Sequence, residues 1–308
     1  MLRLGIDLGG SKIEGIVMDA AGAIRARERR PTPQQHGYQA ILQTIHDLVA
    51  ALEAKVGGRC QVGIGTPGAL SPRTGLLKNS NTVALNGRPL KTDLEECLAR
   101  PIRLANDANC FALSEAIDGA GRGQPVVFGV ILGTGVGGGI VMHGRVHEGA
   151  QRIAGEWGHN ILEPDGPPCY CGRNGCVETF LSGPGLALDY RNHGGGADRD
   201  AAAIVKRAAA GDALAEAALQ RYLERFGRGL AQVINILDPD VVVLGGGLSN
   251  IQRLYSEGRE RVARYVFSAQ GNGAPVKIND EFRTPILPNA HGDSSGVRGA
   301  ARLWGSNE

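Results

Sequence analysis

The sequence predicts an α/β protein built from two related halves. Three observations carry that prediction. Short β-rich apolar runs alternate with helix-period segments along the chain, the pattern of α/β architecture. A strand, glycine turn, strand unit occurs twice, at Leu4 to Met18 and at Val126 to Met142, which points to duplication. Glycine contributes 47 of the 308 residues, about twice the usual share of roughly 7 %, with no Gly-X-Y period. The excess marks tight turns and close approaches of main chain.

Each element follows in order. Leu2 to Ile6, Ile13 to Met18 and Ile24 onward are apolar runs punctuated by Gly9-Gly10 and Gly22, a β-meander. Tyr38 to Val56 has helical period. Gln61 to Gly65 is a buried strand closed by Thr66-Pro67-Gly68, whose Pro and Gly set a turn. An Asn-rich loop follows (Asn79, Asn81, Asn86). The strand Ile102 to Leu104 then runs into Asn106-Asp107 and a helix with apolar residues at Cys110, Leu113 and Ile117. The second half opens on the strand Val126 to Leu132, the turn Gly133 to Gly139 and the strand Ile140 to Met142. After a cysteine loop, helical segments cover Ala201 to Ala210 and Asp212 to Leu237, and His193 to Gly196 between them reads as an exposed loop. The strand Val241 to Leu244 ends in Gly245-Gly-Gly247, and helices from Asn250 to Phe267 and from Asp293 to Leu303 close the chain.

Composition narrows the function classes. Hydrophobic residues make up 42 % and charged residues 21 %, an ordinary globular balance with ample core. The net charge is +2, with signs intermixed and Arg27 to Arg30 the longest basic cluster, so neither nucleic acid nor a membrane surface is an expected partner. Val126 to Met142 is the longest uncharged apolar run, short and glycine-rich for a membrane span. Met1 to Asp7 enters a strand directly, without the features of a signal peptide, and the expected location is the cytoplasm. Of six cysteines, Cys60, Cys97 and Cys110 stand isolated in apolar surroundings and read as buried small hydrophobes. Cys169, Cys171 and Cys176 cluster, which in a cytosolic chain suggests metal more than a disulfide.

Four motifs carry chemistry. Asp7-Leu-Gly-Gly-Ser-Lys12 sets a carboxylate at a strand end before a glycine turn whose N–H groups can cradle phosphate, with Asp7 able to orient hydrated Mg²⁺; the alternative is a plain hairpin. Gly133 to Gly138 matches G-x-G-x-x-G, but dinucleotide binding needs a helix directly after the glycines, and Ile140 to Met142 reads as a strand. A phosphate-gripping hairpin fits better than a nicotinamide dehydrogenase. His159 with Cys169, Cys171 and Cys176 can close a tetrahedral structural zinc site, ordering the loop that carries Glu156 and Glu178 and leaving the second ring nitrogen of His159 for a ligand. Asn106-Asp107, where strand meets helix, suits either a helix N-cap or a general base for phosphoryl transfer.

Together with Gly65-Thr-Pro-Gly68, Gly133-Thr-Gly135, Glu156-Trp-Gly-His159, the Cys-x-Cys-Gly-x-x-Gly-Cys-x-Glu run and Leu244-Gly-Gly-Gly247, these motifs resemble the ROK family of sugar kinases and repressors along essentially the whole chain. The resemblance implies an actin-like, hexokinase-like (ribonuclease H-like) duplicated two-domain ATPase fold with an interdomain cleft. Residues 1–118, rejoined by a C-terminal helix at 293–308, would form the smaller domain, and 119–292 the larger, with a zinc loop at 159–176. It implies an ATP-dependent hexose kinase, with Mg²⁺ and a structural Zn²⁺, in a homodimer. Asp107 would be the base; Gly68, Asn106, Glu156, His159 and Glu178 would bind sugar. Asp7, Gly9, Gly10, Ser11, Lys12, Gly133, Thr134 and Gly135 would surround the ATP phosphates and Mg²⁺, with Gly245, Gly246 and Gly247 near the adenosine. The phrases Val177 to Gly183, Asn235 to Asp240 and His291 to Gly299 look most like bacterial fructokinase of the manno(fructo)kinase type, forming fructose 6-phosphate. Asn106 to Glu115 has the look of N-acetylglucosamine kinase, the alternative together with glucokinase. Ala84 stands where related fructokinases often carry Trp. A ROK-type repressor would need a helix-turn-helix ahead of Asp7, which the sequence does not show.

Overall fold

The computed structural model describes residues 1–197, 200–267 and 282–305. The expected meander is β1 (Arg3–Leu8), β2 (Lys12–Met18) and β3 (Ile24–Pro31), paired antiparallel with Leu8 opposite Ile13. Helix α1 (Gly37–Val56) buries a stripe of Ile41, Leu42, Ile45, Leu48, Val49 and Leu52. Gly57 ends it in the left-handed region, φ 67°, donating its N–H to the Glu53 carbonyl. There follow β4 (Gln61–Thr66), the short hairpin β5 (Ala69–Leu70) and β6 (Leu77–Lys78), α2 (Leu90–Leu98), β7 (Ile102–Asn106) and α3 (Asp107–Asp118).

The second half repeats the plan with β8 (Val126–Leu132), β9 (Val136–Met142) and β10 (Arg145–Val146). Then come α4 (Val177–Leu181), α5 (Gly183–Asn192), α6 (Ala201–Ala209), α7 (Ala213–Leu237), β11 (Val241–Gly245), α8 (Glu257–Tyr265), β12 (Ile286–Pro288) and α9 (Ser295–Arg302). The two five-stranded sheets run β3-β2-β1-β4-β7 and β10-β9-β8-β11-β12. In both, the first strand pairs parallel with the fourth and the fourth with the fifth. The duplicated α/β fold is therefore present in strand order as well as in motif.

By internal packing the chain forms two units: Met1–Gly123 with Gly139–Gly155 and Ala290–Glu308, and Gln124–Gly138 with Glu156–Asn289. In the first, Leu4, Ile6, Val62 and Ile64 pack against the α1 stripe. The opposite sheet face receives α9. Gly5 and Gly63 are register partners on β1 and β4, and a Cβ on either would strike the carbonyl oxygen of Val297 or Ala300. The helix can lie on bare main chain only because both positions lack side chains. In the second unit, α7 is capped by Asp212, whose carboxylate accepts from Leu214 and Ala215 N–H at 3.0 Å. It buries Tyr222, Phe226 and Leu230, and the Tyr222 hydroxyl donates to the Leu181 carbonyl at 3.0 Å. Among the described residues, no helix is long and apolar enough to cross a membrane.

Several elements depart from the sequence reading. The single helix expected at 250–267 is two 3₁₀ turns, Gly247–Asn250 and Gln252–Leu254, followed by α8. The buried hydrophobic residues of these turns and the link between them are Leu248, Ile251 and Leu254, a spacing of three that suits a 3₁₀ repeat better than 3.6. The second strand of the Gly133 hairpin begins at Val136, not Ile140, because Gly137 and Gly139 are strand residues under close packing. Trp157 Nε1 donates to the Gly137 carbonyl at 3.2 Å, and the Ala108 backbone occupies the space a Cβ at Gly139 would need. The last helix starts at Ser295 after a 3₁₀ turn, Gly292–Ser294, and residues 306–308 of the expected C-terminal helix lie outside the described residues. Cys60 and Cys110 are buried, but Cys97 is only partly so, at the margin of the α2 stripe Leu90, Leu94 and Leu98.

Candidate active site

In the first unit the parallel strands deliver their carboxyl ends to one place. Asn106 ends β7 and caps α3, its Oδ1 accepting from Ala108 N–H at 2.9 Å and Asn109 N–H at 3.4 Å. Its Nδ2 donates to the Gly68 carbonyl at 3.2 Å. The N-cap reading of Asn106 holds: one end of the amide holds the helix, the other the Pro67-Gly68 turn. Gly68 sits at φ 81° with the backbone of Lys78 and Ser80 against its Cα, so no side chain fits there. Asp107 is the first residue of α3, its Oδ1 accepting from Ala108 N–H at 2.8 Å. That places a carboxylate at the positive end of a helix.

Asp7 lies near the end of β1, and Cys110, fully buried on α3, is within electrostatic reach of both Asp7 and Asp107. Burial pushes the Cys110 thiol well up and the two carboxylates push it further, so it stays protonated and inert. Burial also raises Asp7 to about 6, with Glu14 adding to the shift and Lys12 opposing it. The turn after β1 is tied back by its carbonyls: Thr32 Oγ1 donates to Gly9 O at 2.7 Å, and Gln34 Nε2 donates to Gly10 O.

In the second unit Glu178, on α4, reaches the glycine turn. Its Oε2 accepts from Val136 N–H at 2.9 Å, and a Cβ at Gly135 would lie 2.6 Å from that oxygen. The turn also receives the Gly183 N–H on the Gly133 carbonyl at 2.8 Å. Gly133 and Thr134 line a cavity of about 560 Å³ with Gly183, Pro184, Gly247, Leu248 and Asn250 among its other walls, within the range of small-molecule sites. Gly247 thus shares one cavity with the turn; Gly245 is the buried last residue of β11 and Gly246 packs on the Leu132 backbone. Gly183, Pro184 and Asn250 were not identified from sequence, since they meet the turn only through tertiary packing.

His159, Cys169, Cys171 and Cys176 come together with all four ligand atoms within 4.8 Å of one another. Cys171 and Cys176 sulfurs are 3.6 Å apart, as are Cys169 Sγ and His159 Nδ1. Zinc–sulfur bonds of about 2.3 Å give tetrahedral edges of about 3.8 Å, so the spacing fits the ion; a disulfide needs about 2.05 Å. Burial opposes ionisation of Cys171, yet hydrogen bonds from Arg173 hold it down at about 6, while burial and the neighbouring thiols push Cys176 up to about 12. Three sulfurs this close become thiolates together only with a cation among them. One expectation is corrected: the second ring nitrogen of His159 is engaged, with Nε2 3.0 Å from the Tyr170 hydroxyl.

The chain matches the ROK family over residues 3–307. It is 40 % identical to the N-acetyl-D-glucosamine kinase of Citrobacter koseri, across 97 % of this chain and 98 % of that one. Among solved structures it is similar to the ROK hexokinase from Thermus thermophilus, with 34 % identity, a TM-score of 0.82 and coverage of 98 % and 97 %. It is also similar to a ROK family glucokinase from Streptomyces griseus, solved with glucose and AMPPNP, with 28 % identity, a TM-score of 0.80 and coverage of 98 % and 99 %.

Proposed function

The chain belongs to the ROK family and is an ATP-dependent sugar kinase; we propose that its acceptor sugar is N-acetylglucosamine. The observation that carries the choice is the 40 % identity to N-acetyl-D-glucosamine kinases over nearly the full length of both chains. It favours that sugar over the fructose suggested by the phrases at 177–183, 235–240 and 291–299.

In this reading the primary hydroxyl of the sugar attacks the γ-phosphorus of ATP, the bond to the ADP oxygen breaks, and Asp107 takes the hydroxyl proton. Asn106, Glu156 and Glu178 take up other sugar hydroxyls, with Gly68 as a close wall, while His159 stays with the cysteine loop and Tyr170. The turns Gly9 to Lys12 and Gly133 to Gly135 hold phosphates, and the cavity beside Gly247 receives the adenosine. Asp7, a partly buried carboxylate that burial and Glu14 raise to about 6, would orient hydrated Mg²⁺. A zinc ion on His159 and the three cysteines would supply order, with no open position for chemistry.

A coupled ADP-release assay over N-acetylglucosamine, glucose, mannose and fructose tests the substrate. N-acetylglucosamine is expected to lead in kcat/KM by at least about tenfold; fructose in front overturns the reading. A second prediction follows from the contact between the turn and Glu178. Gly135→Ala pushes a methyl to within 2.6 Å of Glu178 Oε2, displacing a carboxylate assigned to both the sugar and the Val136 N–H. Steady-state kinetics should show kcat/KM lowered by about 10²-fold. Unchanged kinetics would separate Glu178 from the reaction.

A further inference from the structure

We propose that Glu115 is a positioning residue for Asp7, holding the first turn of α9 against the carboxylate assigned to hydrated Mg²⁺. The inference rests on that assignment and deepens it. Glu115 lies on α3 and is fully buried. Its carboxylate gathers donors from three points in the chain. Oε1 accepts from Ser295 Oγ at 2.8 Å, and Oε2 accepts from Ala120 N–H at 2.9 Å and from Ala290 N–H at 3.0 Å. The Ser295 oxygen also lies 3.1 Å from the Gly292 carbonyl, but a hydroxyl has one proton to give, and Glu115 is the nearer acceptor. Ser295 opens α9. Gly296 comes next, and a Cβ there would lie 3.5 Å from Asp7 Oδ2, so the first turn of the helix borders the Asp7 carboxylate.

The body of α9 is fixed by close packing. Cβ atoms on Gly5, Gly63 and Gly299 would strike the carbonyl oxygens of Val297, Ala300 and Cys110. Its start is held differently. Ser294, at the N-cap, makes no side-chain capping bond, and the 3₁₀ turn before it begins at Gly292 with φ 56°. Glu115 supplies the hold from another helix, through the Ser295 hydroxyl and the Ala290 N–H. A buried carboxylate is a costly way to join two helices, because every oxygen must find donors. The contact of Gly296 with Asp7 gives the arrangement a consequence beyond packing. The positive end of α9 borders that carboxylate, so a displaced first turn changes both the shape and the field around Asp7.

The test uses the full chain carrying Glu115→Gln or the milder Ser295→Ala. The first turns one acceptor oxygen into a donor; the second removes the link to α9 and leaves the Ala120 and Ala290 bonds. Mn²⁺ affinity of the protein with ADP is read by electron paramagnetic resonance, which needs no turnover. The Mg²⁺ dependence of the rate, calorimetric sugar affinity and melting temperature are measured beside it. Both variants are expected to bind Mn²⁺ at least about tenfold more weakly and to regain most of the wild-type kcat at raised Mg²⁺, with sugar affinity within about twofold of wild type. A lowered melting temperature with unchanged metal affinity, equal weakening of metal and sugar, or a rate that raised Mg²⁺ does not restore overturns the proposal and leaves Glu115 a packing residue. If Glu115→Gln does not fold, Ser295→Ala decides by the same outcomes. Asp7→Asn tests the underlying assignment separately: unchanged Mn²⁺ affinity in that variant removes the Mg²⁺ role of Asp7, and this proposal with it.

Discussion

Asp107→Asn is expected to lower kcat by about 10²–10⁴-fold, the range associated with loss of a general base, while sugar affinity and melting temperature stay close to wild type. The local geometry makes the substitution clean. Asp107 Oδ1 accepts from Ala108 N–H at 2.8 Å, and an amide oxygen can take the same bond. The cap of α3 is made by Asn106, not by Asp107, so helix α3 keeps its cap and gives up only the charge at its N-terminus. What disappears is the capacity to accept a proton. Calorimetric sugar binding, thermal unfolding and single-turnover kinetics distinguish the outcomes. Near-normal turnover would remove Asp107 as the base; intact turnover with a lowered melting temperature would leave it a helix-terminus residue only.

The parts of this site that were legible in the sequence are those made by neighbours in sequence. The α1 stripe is readable from the spacing of Ile41, Ile45, Leu48 and Leu52, because one helix face is a local property. The strand-to-helix junction at Asn106-Asp107 and the grouping of His159 with Cys169, Cys171 and Cys176 are readable for the same reason. The duplication is visible as two glycine-turn units, and the strand orders repeat in parallel. Sequence gives no local sign that α9 rests on Gly5 and Gly63, since those residues are distant in the chain and meet Val297 and Ala300 only through the topology. The contact of Glu178 with Gly135 and the pairing of Tyr170 with His159 are hidden likewise: each side chain's neighbours are set by how a loop closes. The sequence reads 250–267 as one helix, although 250–254 lies in 3₁₀ turns, because Ile251 and Leu254 fit both periods over so short a stretch. Sugar identity is the least legible property. It depends on which donors and acceptors converge, and a motif fixes residue types, not their convergence.

Cys176→Ser should release the metal and, with it, most of the activity, although the protein stays folded. Metal analysis of wild type is expected to find about one zinc per chain, and the variant essentially none, because a serine hydroxyl is a poor ligand beside two thiolates and an imidazole. Cys176 is buried and directly precedes α4, so the ion would anchor the end of the short helix that carries Glu178. It would also fix the ring of His159. Without it, Glu178, which is proposed to contact the sugar, loses its support, and kcat/KM should fall by at least about 10²-fold. The rest of the second unit has its own reasons to stand: α7 buries Tyr222, Phe226 and Leu230, and β11 pairs with β8 over five residues without involving the loop. Circular dichroism should therefore change little while activity and zinc fall together. A zinc-free protein with full activity would show that the four side chains hold the loop by packing and hydrogen bonds alone, and that Glu178 needs no ion to reach Val136.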